Sequence, residues 1–301
     1  MNRSQSPARH HGSRLAVLVV EVTLFPLTPV QAAGASVGAP VASTTVVTIA
    51  DRARLVCPRD RVIVIAHRGT GDGTRTIDGN AYSENTIPAF VKALDEGADG
   101  FEADYWPTSD GRIATHHDDT LDRMTAGTGP VARHTWSQVS ALPNLSGAAV
   151  PSFEAVARAT RPRGGHRQQE IKQGAMFGDR LLRRMVAMDL AHSADAHDTV
   201  LYTSSELRTL GRVKLVDARI RVGLIHRSDH GRPALARVPS WVDVILLDLR
   251  AADATYVQQA EAAGHEVSVR RVQTVGDLHR AVALGVSRVV TDRPEVLGRA
   301  C

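Results

Sequence analysis

The chain has 301 residues, which is enough for one large α/β domain. Aromatic residues make up only 4% of it, so a hydrophobic core must be built mainly from Ala, Val, Leu and Ile. The formal net charge is +4, but the basic residues form no block and no stripe interleaved with aromatics, which excludes the usual signature of a nucleic-acid-binding protein.

Residues 1–32 have the layout of an export signal. Three arginines precede the mostly apolar run 15–30, and small alanines follow it. We therefore predict a signal peptide over 1–32 and a secreted or extracytoplasmic protein. A disordered tail is the alternative, because Glu21 and two prolines interrupt the run. We expect no stable membrane span, which needs about 20 apolar residues.

Residues 33–56 are rich in Ala, Ser, Thr, Val and Gly and predict a linker, which leaves residues 57–301 as a single domain. The only two cysteines are Cys57, before the first strand, and Cys301, at the end of the chain. Exported proteins form disulfides, and in a closed barrel both positions lie at the bottom. We predict that they pair, with free thiols or an intermolecular link as alternatives.

Nine candidate strands alternate with helical stretches along this domain. Alternation of this kind predicts a parallel sheet covered by helices, so the fold class is α/β. The candidate strands are 61–66, 99–104, 112–117, 167–172, 199–203, 219–225, 242–248, 266–270 and 287–291. The helical patterns are 86–96, 152–160, 179–193, 206–212, 253–263 and 276–284.

The number of candidate strands exceeds the eight places of a closed barrel by one. Residues 105–111, between the second and third candidates, are too few for a crossover helix. Either the chain returns there in extended form, or one candidate is not a barrel strand. Residues 120–165, between the third and fourth candidates, predict a small excursion above the barrel with one or two short helices.

His67 and Arg68 directly follow the apolar run 62–66, which predicts a strand buried on both faces. The carboxyl end of such a strand is where barrel enzymes place their chemistry. Arg suits a phosphate, and His suits proton transfer because its pKa lies near neutrality. His117 would supply a second imidazole, with neighbouring His116 pointing the other way. A structural hydrogen bond is the alternative for either histidine.

Glu102 and Asp104 lie two residues apart on a predicted strand, so both side chains point to one face. Neighbouring carboxylates repel unless a proton or a cation bridges them, and oxygen ligands favour Ca²⁺ or Mg²⁺. Glu170, at the end of a later strand, would supply a third carboxylate, and Lys172 on the same face could neutralise a phosphate oxygen. The alternatives are surface acids and an ordinary ion pair of Lys172.

These residues belong to a series of short motifs that resembles the glycerophosphodiester phosphodiesterase family. Their order and spacing agree over residues 61–298. The motifs are His-Arg-Gly (67–69), Glu-Asn-Thr (84–86), Glu-x-Asp (102–104), Thr-x-Asp-Gly (108–111), His-Asp-x-x-Leu-x-Arg-x-Thr (117–125), Pro-x-x-Glu (151–154), Glu-Ile-Lys (170–172) and Thr-Asp-x-Pro (291–294).

The resemblance implies a regular or distorted TIM (β/α)8 barrel, one divalent cation (Ca²⁺ or Mg²⁺), and hydrolysis of a glycerophosphodiester to glycerol 3-phosphate and an alcohol. Water or the neighbouring glycerol hydroxyl would be the first nucleophile. The resemblance also implies that His67 and His117 transfer protons and that Glu102, Asp104 and Glu170 hold the cation. It further implies that Arg68 and Lys172 contact the phosphate and that Glu84 and Asn85 support the site.

The chain departs from the family pattern around the expected pocket. Ser83 replaces the usual Pro before Glu-Asn-Thr, and the loop 70–82 is long and rich in Gly. Ser204-Ser205 stands in place of Ser-Phe, and Arg270-Arg271 in place of Trp-Thr. These changes leave the chemical groups intact but alter the pocket. They keep two alternatives open, a related phospholipase D-like barrel enzyme acting on a lipid head group and a non-catalytic secreted binding protein.

Overall fold

A computed structural model describes residues 62–228 and 231–300. The predicted signal peptide, the linker, Cys57 and Cys301 lie outside the described residues, so their predictions stay untested. In the described part, no helix is both long enough and apolar enough to cross a membrane.

Eight parallel strands close into a barrel in the order β1, β4, β6, β7, β8, β9, β10, β11 and back to β1. In chain order the strands are β1 (Ile63–Ala66), β2 (Thr74–Ile77), β3 (Asn80–Ser83), β4 (Gly100–Pro107), β5 (Ile113–Thr115), β6 (His166–Ile171), β7 (Val200–Ser204), β8 (Arg221–Ile225), β9 (Val244–Asp248), β10 (Glu266–Arg270) and β11 (Arg288–Thr291). The pairing of Ile65 with Gly100 and of Ala66 with Phe101 completes the closure.

Helices cover the outside of the barrel, except for the second in chain order, which belongs to the segment after β5. They are α1 (Ile87–Asp95), α2 (Trp136–Ser140), α3 (Phe153–Thr160), α4 (Asp179–His192), α5 (Ala196–Thr199), α6 (Leu207–Val216), α7 (Ala254–Ala262), α8 (Val275–Ala283) and α9 (Pro294–Leu297). Between β8 and β9 the described residues contain only a 3₁₀ turn, Leu235–Arg237. The fold is therefore a TIM barrel with one irregular crossover, which confirms the predicted fold class.

Alternation along each strand separates the helix-facing side chains from those in the barrel interior. Val64 and Ala66 pack into the main core together with residues of the surrounding helices. Because successive side chains point to opposite faces, Ile65 and His67 point into the barrel. The same argument directs Glu102 and Asp104 inward, since Phe101 and its alternates belong to the helix-facing core.

The start of α1 explains the third residue of the Glu-Asn-Thr motif. The Thr86 hydroxyl accepts a hydrogen bond from the backbone N–H of Ala89, as an N-cap residue does, and Pro88 fits the first turn. The buried face of α1, formed by Ala89, Phe90 and Ala93, then packs against the barrel. Glu84 and Asn85, which directly precede Thr86, are thereby held at the carboxyl end of the barrel strands, which we call the mouth.

The third of the nine candidate strands is not part of the barrel. Residues 112–117 contain the short β5, which pairs antiparallel with the extended end of β4, Tyr105 opposite Thr115. Gly111, at φ +73°, lies in the turn that reverses the chain. Both alternatives left open for this region therefore hold: one candidate is not a barrel strand, and the chain returns from β4 in extended form.

The predicted excursion follows β5. It contains a 3₁₀ turn, Val131–Arg133, and the short helix α2 before α3 returns the chain to the barrel. The excursion has a small core of its own, formed by Trp106, Ala114, Leu121, Val131, Val139 and Val150. This core fixes it above one side of the mouth.

A hairpin replaces the loop expected over residues 70–82. β2 and β3 pair antiparallel across Asp78-Gly79, at φ +50° and +80°. Asp-Gly is a strong hairpin signal, because both turn residues must adopt positive φ. Arg75 on this hairpin forms an ion pair with Glu295 of α9, with 2.8 Å between Nη2 and Oε1.

Candidate active site

The predicted site residues meet at the carboxyl end of the barrel. Acidic, basic and imidazole side chains from β1, β4, β6 and the loops after β1 and β5 converge there: His67, Arg68, Glu84, Asn85, Glu102, Asp104, His117, Glu170 and Lys172. Glu102, Asp104 and Glu170 lie on strands, and the others follow strands or precede the first helix, as chemistry at this face of a barrel requires.

The turn after β1 brings its backbone against β4. Arg68 and Gly69 both have positive φ, +49° and +89°. The Arg68 amide donates a hydrogen bond to Glu102 Oε2 at 3.0 Å. A Cβ at Gly69 would lie 2.8 Å from the Ala89 carbonyl carbon, so α1 can approach only because the residue is Gly.

Glu102, Asp104 and Glu170 form a group of three carboxylates. One oxygen from each lies within 4.8 Å of the others. Glu102 Oε1 is buried and has no hydrogen-bond partner among the described residues. Burial and the neighbouring charge of Asp104 raise the pKa of Glu102 to about 8. The carboxylate spacing and this unpartnered oxygen fit a hard divalent cation.

Asp104 is the ionised centre of this group. The Asn85 amide holds it on both sides: Nδ2 donates to Oδ2 at 2.7 Å, and Oδ1 accepts from the Asp104 amide at 3.1 Å. The Lys172 ammonium lies 2.9 Å from Asp104 Oδ1 and 2.7 Å from Glu170 Oε1. Although burial opposes ionisation, Lys172 and Arg68 hold the pKa of Asp104 well below its usual range.

Glu84 joins two arginines, which gives it a definite structural role. Arg68 Nη1 donates to Glu84 Oε1 at 3.3 Å, and Arg123 Nη2 donates to the same oxygen at 2.5 Å. Burial alone would raise the pKa of Glu84, but the contacts with Arg123 and Arg68 have the larger effect and lower it. Arg123 also reaches Asp118, with its Nε 2.5 Å from Oδ2. It thereby connects the excursion to the barrel.

Each of the two predicted catalytic histidines is held through Nδ1 by an aspartate. His67 lies 2.6 Å from Asp292 Oδ1, and His117 lies 2.6 Å from Asp118 Oδ1. Their side chains are 28% and 29% exposed, so both rings reach the solvent of the mouth. The Nε2 atom of each ring has no hydrogen bond to a described residue, which leaves it available to a substrate.

His116 has a different environment. It is buried, and its Nε2 lies 2.9 Å from the carbonyl oxygen of Thr120. Burial lowers its pKa, so the neutral ring is favoured. His116 thus serves the local structure of the excursion and turns away from His117, as the alternation of an extended chain predicts.

Four contributing residues were not predicted as site residues: Asp118, which holds His117, and Asp292, Arg123 and Gln273. Asp292 follows β11 and is fixed by Gln273, whose Nε2 donates to Asp292 Oδ2 at 2.5 Å. Arg123 holds Glu84 and Asp118. Asp292 and Arg123 both belong to quoted motifs, Thr-Asp-x-Pro and His-Asp-x-x-Leu-x-Arg-x-Thr, so the signal was present without an assigned role. Gln273 carried no signal.

Two cavities open on the mouth. The larger, of about 560 Å³, is lined by Trp106, His117, Asp118, Asp119, Thr120, Lys172, Gln173, Ser205, Glu206 and Arg227. The smaller, of about 150 Å³, is lined by His67, Arg68, Asp72, Arg270, Arg271, Val290 and Asp292. The departures from the family pattern at Ser205, Arg270 and Arg271 therefore lie on the walls of these cavities, one histidine to each.

Comparison with known proteins gives a match to the model of the glycerophosphoryl diester phosphodiesterase family over residues 67–296. A glycerophosphodiester phosphodiesterase from Caldanaerobacter subterraneus subsp. tengcongensis is 25% identical over 252 residues, which cover 79% of this chain and 96% of that protein. Human glycerophosphodiester phosphodiesterase 1 is 41% identical over 85 residues, 28% of this chain and 23% of its own length.

Solved structures share the fold. A glycerophosphodiester phosphodiesterase from Agrobacterium tumefaciens superposes with a TM-score of 0.61 at 23% identity, covering 79% of this chain and 99% of that one. A phosphodiesterase from Oleispira antarctica, solved in complex with the product sn-glycerol-3-phosphate, superposes with a TM-score of 0.64 at 20% identity, covering 79% and 95%.

The His67–Asp292 contact yields a test by titration. Burial alone would lower the pKa of His67, but the hydrogen bond to Asp292 and the charge of Glu102 outweigh it and raise the pKa above its usual value. Asp292→Asn removes the charge and keeps the shape, so the pKa of His67 should fall. NMR titration of the imidazole protons measures this change.

Asp72→Asn is the matched control. Asp72 Oδ1 lies 3.4 Å from His67 Nδ1 and its side chain is 64% exposed, so its removal should lower the pKa of His67 less. An unchanged or higher pKa of His67 in Asp292→Asn would contradict the assignment.

Proposed function

Because the chain belongs to the glycerophosphoryl diester phosphodiesterase family, we propose that it hydrolyses a glycerophosphodiester to glycerol 3-phosphate and an alcohol. The observation that carries the proposal is the convergence at one end of the barrel. Three carboxylates lie within 4.8 Å of one another, with a histidine held by an aspartate in each neighbouring cavity. Few other arrangements combine a site for a cation with two separate groups for proton transfer.

Glu102, Asp104 and Glu170 would hold one divalent cation, Ca²⁺ or Mg²⁺. Their fit rests on the oxygen donor set and on the unpartnered Glu102 Oε1. A cation bound there supplies Lewis-acid polarisation of a phosphoryl oxygen. Burial and the negative charges of Asp104 and Glu170 raise the pKa of Glu102 to about 8, an effect that a bound cation would oppose.

Arg68 and Lys172 would contact the phosphate. Their side chains are 10% and 7% exposed, so they act where water is largely excluded and charge interactions are strong. Glu84 and Asp104 fix the Arg68 guanidinium, while Asp104 and Glu170 fix the Lys172 ammonium. The anchored cations need little reorganisation when a phosphodiester arrives.

His67 and His117 would divide the proton transfers. One takes a proton from the attacking hydroxyl, of water or of the glycerol, and the other gives a proton to the departing alkoxide oxygen. Asp292 and Asp118 each accept a hydrogen bond from the Nδ1 atom of one ring, so the Nε2 atom of that ring is left for the proton transfer. Because the rings line separate cavities, each can serve a different side of the phosphorus.

Metal dependence is the first prediction of this proposal. Chelation should abolish release of glycerol 3-phosphate from glycerophosphocholine, and added Ca²⁺ or Mg²⁺ should restore it. Glu170→Gln should weaken cation affinity, measured calorimetrically, more than it lowers the free energy of unfolding. Glu261→Gln removes the same charge at an exposed position of α7 and should leave both unchanged.

The same assay, run in parallel on an intact phospholipid, separates the alternatives. A related phospholipase would act on the phospholipid rather than on glycerophosphocholine. A binding protein would act on neither. Full turnover by metal-free protein in excess chelator would remove the cation from the proposal.

Substitution of the histidines tests proton transfer. His67→Ala and His117→Ala should each lower turnover by about 10²-fold or more, the usual contribution of a positioned acid or base. His116→Ala should lower turnover far less, because its ring bonds to the backbone of the excursion. Circular dichroism of all three variants would establish that they fold. An essential His116 with a dispensable His117 would overturn the assignment.

We also propose that residues 1–32 direct export and that Cys57 and Cys301 pair in the mature domain 57–301. The basic, apolar and small-residue order of the first segment supports export, which would make the protein secreted or extracytoplasmic. Peptide mapping under non-reducing conditions of protein from the culture medium should show a chain lacking 1–32 and one peptide that links both cysteines. Two free thiols would rule out the bridge.

A further inference from the structure

Arg288 is a buried cation at the end of the barrel opposite the catalytic mouth. It is the first residue of β11, where it pairs with Ile63 of β1 and Ser268 of β10. Val289 packs among the helices, so Arg288 points into the barrel. Only 1% of its surface is exposed.

This side chain has no hydrogen bond or ion pair to any residue that the structure describes, and its Nε and Nη1 are both buried. Burial lowers the pKa of Arg288 to about 10, which still leaves the guanidinium charged at neutral pH. A buried charge without a contacting counter-charge is costly, and proteins rarely tolerate one.

The nearest carboxylates are engaged elsewhere. Glu266 accepts hydrogen bonds from Arg221 at 2.5 Å and from the Ser287 hydroxyl at 3.0 Å. Asp99 Oδ2 accepts from the backbone N–H of Val64 at 2.8 Å. Neither carboxylate comes within ion-pair distance of Arg288, so among the described residues its charge is balanced only at longer range.

Ser268 and His166 offer further donors near Arg288 that lack partners among the described residues. Ser268, beside Arg288 in register, is fully buried and its hydroxyl has no hydrogen bond to a described residue. The same holds for Nδ1 of His166, which points inward because Arg167 turns out to Asp189 of α4. A guanidinium, a hydroxyl and an imidazole are all possible donors, and donors recognise an anion.

We propose that the floor of the barrel binds one small inorganic anion, of the size of chloride, held by Arg288 with Ser268 and His166 as further donors. The burial favours a small ion, since Arg288 and Ser268 are only 1% and 0% exposed. The site is separate from the proposed phosphate contacts at the mouth, and its role is to stabilise the fold.

Thermal unfolding in chloride and in gluconate at equal ionic strength tests the proposal. Gluconate is a much larger anion than chloride and should not replace it beside the buried guanidinium, so chloride should raise the Tm by about 3–6 °C at a tenfold excess over its Kd. Arg288→Met should lose this dependence and unfold in gluconate at or above the temperature of the unsubstituted protein. Arg237→Met, which removes an exposed charge, should keep the chloride response.

Bromide soaked into crystals of the unsubstituted protein provides a second measurement that needs no variant. An anomalous peak beside the Arg288 guanidinium is the expected result. Equal Tm values in chloride and gluconate, or water alone at this position in a bromide-soaked crystal, would overturn the proposal. Neither readout uses activity, so failure here is distinct from failure of the proposed hydrolysis.

Discussion

The pairing of β1 with β4 is the contact on which the candidate site depends. It places the turn after β1 beside the inward face of β4, so the Arg68 amide reaches Glu102 across 34 residues of sequence. On its other side β1 pairs with β11, which brings Asp292 to His67 across 225 residues. A sheet left open between β1 and β4 would separate the Arg68 amide from Glu102.

Charge balance within the mouth follows from this geometry. Buried carboxylates survive there because basic groups contact them: Glu84 has two arginines, and Asp104 has Lys172 at 2.9 Å. Glu102 differs, since its only hydrogen bond from a described residue comes from a backbone amide. It is therefore the carboxylate at which an added positive charge would lower the energy most.

The sequence predicts well which face of a strand a side chain occupies. It predicts poorly which residues far apart in the chain come into contact. The two-residue spacing of Glu102 and Asp104 was sufficient to place both on one face, because the period of a strand is fixed. The short segment 105–111 identified a conflict over the next strand but could not say which way the chain returned. That Asp292 would meet His67 depends on the order of strands around the barrel, and no single segment encodes that order. The Asp78-Gly79 dipeptide is itself a hairpin signal, but the glycines of residues 70–82 led to the expectation of a loop.

The separate apolar core of the excursion has an evolutionary consequence. His117 sits where the excursion begins, and Arg123 from the same segment connects it to Glu84 in the barrel. Substitutions inside the excursion core, at Leu121 or Val139 for example, can move His117 and the wall of the larger cavity while the packing of the eight strands stays as it is. Selection can thus reshape the larger cavity through the excursion, at little risk to the barrel beneath it.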